Sequence, residues 1–318
     1  MWVAFSHGLY PKLTQGIDKT EFTGWFINGV YTSIFCGPAA VIVFFLISGF
    51  CIHYPYKDNW GKFYSIPFLT SRLVRISGPI AVVSLLYPFL NIDIKSFYNL
   101  LGWSIVCEIF YYSFYPFLRN FIHTKKGWMK LYLYSTIPTF ISFLIFPINL
   151  VNYPGVGPIY VVFLGLPCWL LGVILVYEIK KDTPQSKKEL YSYRFLVFSL
   201  AFSTHVLALQ EIIGHPFTLN FFGLACFFWL KKEICYNYKK PSIIFLEKAG
   251  RASYSLYLIH GLTLQIANYV FQPSSIWAKS QLIHWPILLI TTYSFYILVE
   301  KPFHKLSRLL KSNCINTN

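Results

Sequence analysis

Runs of about 17 to 21 residues with almost no charge recur along this chain, for example at 34–52, 131–148, 158–177 and 281–299, and a helix needs about 20 apolar residues to cross hydrocarbon. A buried helix of a soluble protein can be as apolar, but it does not recur so often at this length. Charged residues make up only 12% of the chain, about half the share typical of soluble domains. The expected fold is therefore all-α: a polytopic membrane helical bundle of about ten transmembrane helices. Spans are expected at 1–10 (a stub), 34–53, 73–91, 100–118, 130–147, 158–178, 194–210, 214–230, 252–271 and 282–300. One integral-membrane domain is expected to fill 1–318, without a soluble appended domain or a cleavable signal peptide.

The net charge of +15 would suit nucleic acid, but its distribution does not. When successive loops are assigned to alternate sides of the bilayer, all but four of the 27 Lys and Arg fall on one side. The exceptions are Lys12, Lys19, Lys95 and Lys279. Such a bias marks the cytoplasmic face and puts the C-terminus there. The basicity is mostly a topology signal, and no nucleic-acid partner is expected. A positive cytoplasmic face would also draw anionic headgroups or a phosphate-bearing cosubstrate. The longest hydrophilic break, KKDTPQSKKELYSYR (180–194), reads as a cytoplasmic loop, and 11–33 as the long outer loop. The seven cysteines form no CxxC pair and lie mostly in apolar spans. They read as packing residues, with neither a disulfide framework nor a metal site. An inverted repeat of the transporter kind is not detectable.

Polar groups inside a bilayer are costly and mark function by default. In GWSIVCEIFYYSFYPFL, Ser104, Glu108, Tyr112 and Tyr115 fall on one helical stripe. Glu108 reads as a carboxylate orienting a base or pairing with an arginine, or else as a structural ion pair. In SYSLYLIHGL, Ser253, Tyr257, His260 and Thr263 form another stripe that must face inward. His260 and the His7 of MWVAFSHGLY are each either interhelical hydrogen-bonding groups or site groups, with His7 placed where a neutral imidazole could act as general base on a hydroxyl. Arg72 and Arg75 of FLTSRLVRI are either cytoplasmic anchors or a fork for phosphates. Ser48 and Gly49 of FFLISGF either allow close helix packing or line the site. Glu300 of VEKPFHK, beside a cluster of cations, reads as a cap or ion-pair partner. In the outer loop, Phe22, Trp25, Phe26 and Tyr31 could stack on sugar faces or anchor the interface.

In chain order FFLISGF, SRLVRI, WSIVCEIFYYSFYPFL, SYSLYLIH and VEKPFHK resemble the acyltransferase-3 family of membrane O-acyltransferases, over about residues 2 to 305. The resemblance implies ten helices with the N-terminus inside, and transfer of an acyl group, most often acetyl from acetyl-coenzyme A, to a hydroxyl of a carbohydrate or envelope glycoconjugate at the plasma membrane. It also implies a first-helix histidine, matched by His7, with an arginine eleven positions earlier, which would fall before Met1. The first helix is thus expected to be incomplete, through an upstream start codon or a natural truncation. The implied roles are His7 as base or acyl relay, Glu108 orienting, and His260 as a second polar contact. Arg72 and Arg75 would meet the phosphates of acyl-coenzyme A, with Ser48 lining its site, and no bound cofactor is needed. Two rival classes remain: a carrier or flippase for a lipid-linked sugar or small anion, and an inactive family member.

Overall fold

The computed structural model describes residues 2–9, 22–57, 63–97, 101–150, 152–179, 186–238, 240–271 and 277–316. About half of the expected outer loop (11–21) and the first part of the basic loop (180–185) lie outside the described residues. Every ordered element among the rest is helical. In chain order the α-helices are α1 Trp2–Ala4, α2 Phe22–Ser33, α3 Gly37–His53, α4 Ser65–Phe89, α5 Ile94–Phe97, α6 Trp103–Phe121, α7 Lys125–Ser135 and α8 Ile137–Ile145. They continue with α9 Pro158–Glu178, α10 Lys187–Leu209, α11 His215–Asn237, α12 Ile244–Arg251, α13 Ser253–Phe271, α14 Trp277–Phe295 and α15 Lys301–Asn316. Single π-turns follow α1 at Phe5–Leu9 and α14 at Tyr296–Glu300.

A helix stands wherever a span was expected, but four stretches are both long and apolar enough to cross a bilayer: Phe26–Tyr56, Ser65–Phe89, Pro158–Glu178 and Lys187–Leu209. The ten-span expectation is met only that far among the described residues. At 130–147 one continuous span was expected, and the chain instead breaks into α7 and α8, of 11 and 9 residues. Pro138 sits in the first turn of α8, where its missing N–H is harmless, whereas inside one long helix it would cost a ladder bond and meet the carbonyl a turn back. At 1.5 Å per residue neither piece reaches across about 30 Å of hydrocarbon. Residues 22–33, expected within the outer loop, form α2. Large side chains such as Leu85, Phe89, Leu144 and Phe195 point outward, a placement that suits helices solvated by lipid rather than water.

The helices group into two compact units, Met1–Asn28 with Phe63–Ile105 and Ser242–Asn318, and Gly29–Lys62 with Val106–Pro241. In the first, α4 packs along α15, and α13 along α14. The Tyr254 hydroxyl of α13 donates to the Ile76 carbonyl of α4 (3.1 Å). In the second, α3 lies against α9, and α11 against both α9 and α10. The α3–α9 contact is a reciprocal glycine approach. A methyl group built on Gly49 would come within 2.1 Å of the Trp169 carbonyl oxygen, and one on Gly172 within 2.0 Å of the Leu46 carbonyl oxygen. Close backbone approach of this kind is how membrane helices gain packing without a hydrophobic driving force.

Candidate active site

In the first unit the π-turn after α1 presents His7, and the middle of α13 presents His260, which is fully buried. His7 Nδ1 lies 2.8 Å from His260 Nε2. The rings are parallel within 1°, with centroids 5.1 Å apart. That separation matches the hydrogen bond plus two ring radii, so the imidazoles lie edge to edge in one plane. The other nitrogen of His260, Nδ1, is 2.8 Å from the Tyr257 carbonyl oxygen.

A carbonyl can only accept, so His260 Nδ1 carries a proton. In a neutral ring its Nε2 must then accept, and the donor to it is His7 Nδ1–H. A neutral His7 consequently keeps its basic lone pair on Nε2. The pair works as a tautomer relay in which a backbone carbonyl fixes which nitrogen of a distant histidine can take a proton.

The stripe expected around His260 is partly as the spacing predicts. His260 and Thr263 are buried, and Tyr257 meets the Ser104 hydroxyl at 2.5 Å. Ser253 departs from it: it is exposed and bonds the Gly250 carbonyl (2.7 Å). Ser255, unremarked in sequence, takes the inward place, and its backbone N–H and hydroxyl both donate to the Glu300 carboxylate at 3.1 and 2.5 Å. Glu300 therefore caps the first turn of α13 rather than closing its own helix, where a negative charge complements the helix dipole.

Beside Glu300 opens a cleft of about 1250 Å³ between α4, α12, the second π-turn and α15. Its cations are Arg75, Arg251, Lys301, Lys305 and Arg308, with His304 among them. Arg75 thus reaches the cleft. Arg72, one turn earlier, is not among the lining residues, and its guanidinium lies over the Phe68 ring, 5.9 Å from the centroid. Burial pushes the His304 imidazole down from its ordinary value, and Arg75, Arg308 and Arg72 add to the effect. Lys301, Lys305 and Arg308 were passed over as part of a generic cation cluster, although their i, i+4, i+7 spacing already put them on one helical face. Arg251 had no such signal, because it reaches the cleft from another helix. It also pairs with Glu247 on its own helix.

The remaining expected site residues belong to the second unit. Glu108, Tyr112 and Tyr115 are buried, as their stripe predicts. Ser48 bonds the Tyr112 hydroxyl (2.9 Å) and accepts from Trp169 Nε1 (3.3 Å). The structure therefore joins His7 to His260, and Ser48 to the Glu108 stripe, within separate units.

The sequence profile described as "Acyltransferase domain" matches residues 1–301. The chain belongs to the acyltransferase-3 family. No curated protein and no solved structure matches it. With its long apolar helices, this acyltransferase is a membrane protein, and the histidine pair and the cationic cleft both lie in its first unit.

Proposed function

We propose that the acyltransferase moves an acyl group, most often acetyl, from acyl-coenzyme A to a hydroxyl of a cell-surface carbohydrate or envelope glycoconjugate. It does so from the plasma (inner) membrane, with its C-terminus in the cytoplasm. The observation that carries this reading is the His7–His260 bond, which leaves a basic lone pair on His7 Nε2. That nitrogen takes the acceptor's hydroxyl proton as the oxygen attacks the thioester carbonyl carbon. The carbon–sulfur bond then breaks, and the departing coenzyme A thiolate is neutralised by the proton on His7. His260 does not touch the proton in flight but holds the tautomer that receives it.

The donor's phosphates bind in the cleft of Arg75, Arg251, Lys301, Lys305 and Arg308. Its volume of about 1250 Å³ suits a nucleotide-sized molecule, since smaller ligands occupy about 300–1,000 Å³. The arginines supply bidentate contacts and the lysines point charges. Ser255, bonded to the cleft's Glu300, is five residues before His260 on α13, a rise of about 7.5 Å. A donor held by its phosphates in the cleft would thus extend a short arm to the histidines. Arg72 supports α4 rather than contacting phosphate, while Glu108 and Ser48 order the second unit.

Membranes from cells expressing the chain, given acetyl-coenzyme A labelled in the acetyl group and endogenous envelope glycans, test the reading. Label should pass to an alkali-labile ester on glycan with the parent chain and not with His7→Ala. Proton-coupled glycan flux without label transfer would overturn it in favour of a carrier.

A further inference from the structure

Cys36, His205 and His215 come from three separate stretches of the chain and meet at one end of the second unit. The opposite ends of α10 and α11 are joined by the Lys232–Glu189 ion pair, and Lys231 of α11 pairs there with Glu178 of α9. Cys36 occupies the N-cap position of α3, His205 lies near the end of α10, and His215 opens α11. Cys36 Sγ is 3.8 Å from His215 Nε2, and His205 Nδ1 is 3.2 Å from the same nitrogen. All three donor atoms lie within 4.8 Å of one another. Cys36 and His215 are each only 1% exposed, and His205 is half-buried.

The two separations to His215 Nε2 are near the edges of a metal polyhedron. With metal–sulfur and metal–nitrogen bonds of about 2.3 and 2.0–2.1 Å, tetrahedral sulfur–nitrogen and nitrogen–nitrogen edges come to about 3.6 and 3.4 Å. We infer that Cys36, His205 and His215 form a site for one soft d10 metal ion, Zn²⁺ or Cu⁺. Thiolate and imidazole are the donors those ions prefer.

The proton count closes simply. The histidine that donates in the 3.2 Å bond moves its proton to its other ring nitrogen, Cys36 loses its thiol proton to solvent, and the ion takes the three freed lone pairs. One proton leaves per ion bound. A monovalent ion gives a neutral three-coordinate complex. A divalent ion leaves one net positive charge and requires an anion or hydroxide in a fourth position, since buried net charge is costly; hydroxide drawn from water releases a second proton. An apolar cavity of about 300 Å³ is lined by Thr204, Ile213 and Phe217, which neighbour the two histidines in sequence.

The test uses the purified full chain in detergent, its affinity tag removed, stripped with chelator and incubated with Zn²⁺, or with Cu⁺ under reductant. About one ion per chain should survive gel filtration, with release of about one proton, or about two where hydroxide completes the zinc shell. X-ray absorption should show one sulfur and two imidazole nitrogens, with a fourth light atom marking Zn²⁺ and its absence marking Cu⁺. Substituted Co²⁺ should give a thiolate charge-transfer band that Cys36→Ser abolishes, and His205→Gln should weaken retention more than about tenfold. Should either variant fail to fold, the absorption spectrum of the unaltered chain decides alone. Failure of a cooperatively melting chain to retain either metal, a shell without sulfur, or full retention in folded Cys36→Ser would overturn the assignment.

Discussion

His7 and His260, 253 residues apart in sequence, share one plane and one hydrogen bond of 2.8 Å. The bond from His260 Nδ1 to the Tyr257 carbonyl polarises that relation: one imidazole is fixed as the acceptor, and the other keeps its basic lone pair on Nε2. The chemistry proposed for His7 is therefore set up from α13. Substitution at His7 should lower acyl transfer by about 10²–10⁴, the usual worth of a general base. His260→Gln should cost less. It leaves a base in place but no longer holds its tautomer, so the alkaline and acid limbs of the pH–rate profile should shift as the rate falls. Initial rates of coenzyme A release across pH measure both.

The cationic cleft predicts a different kinetic signature. Arg75→Ala and Arg308→Ala should each raise KM for the coenzyme A donor about 10–100-fold, the equivalent of losing a charge-assisted hydrogen bond worth about 1.5–3 kcal/mol, with kcat little changed. Arg72→Ala should change KM far less, because its guanidinium rests on Phe68 rather than lining the cleft. The KM differences should shrink as ionic strength rises. Equal effects of Arg72 and Arg75 would show that the cleft is not the donor site.

His304 ties stability of the first unit to pH. Its folded value lies below the ordinary one, through burial first and then through Arg75, Arg308 and Arg72. The stabilisation it contributes is therefore full above the unfolded value, about 6.5. It is lost as pH falls from there through the folded value, because only the unfolded chain gains the proton readily. His304→Gln should remove that dependence, so its Tm should fall less than the parent's between about pH 7.5 and 5. Thermal melts at matched ionic strength read it directly.

The α3–α9 contact should not tolerate even a methyl group. Gly172→Ala would push a carbon to 2.0 Å from the Leu46 carbonyl, and Gly49→Ala one to 2.1 Å from the Trp169 carbonyl. Either should destabilise the second unit by about 1–3 kcal/mol through forced separation of the backbones. Loss of cooperative melting or of yield in detergent would report it, and unchanged melts would mean that the helices already sit farther apart.

Much of this molecule was legible in one dimension because membrane solvation leaves a local mark. Charge-free runs of span length, the one-sided distribution of lysine and arginine, and the ordered motifs from FFLISGF to VEKPFHK required no knowledge of packing. A helix can be read from its own residues because its hydrogen bonds close within it. The buried stripe of Ser104, Glu108, Tyr112 and Tyr115 followed from helical period alone. Where neighbours decide, the local signal failed. A proline divided the expected span at 130–147 into α7 and α8, and Ser255 rather than Ser253 turned inward because Glu300 supplies its acceptor.

What the sequence by itself determined is thus the kind of chain this is: apolar helices, their placement, and the histidines, arginines and acid held in reserve among them. Only the tertiary structure decided which of these meet. It joined His7 to His260, gathered Arg75, Arg251 and the α15 cations around one cleft, and brought Cys36 to two histidines from distant helices. The physical reason is that a tautomer, a phosphate-sized charge cluster and a ligand set are properties of distances between groups, and those distances are fixed by packing rather than by spacing along the chain.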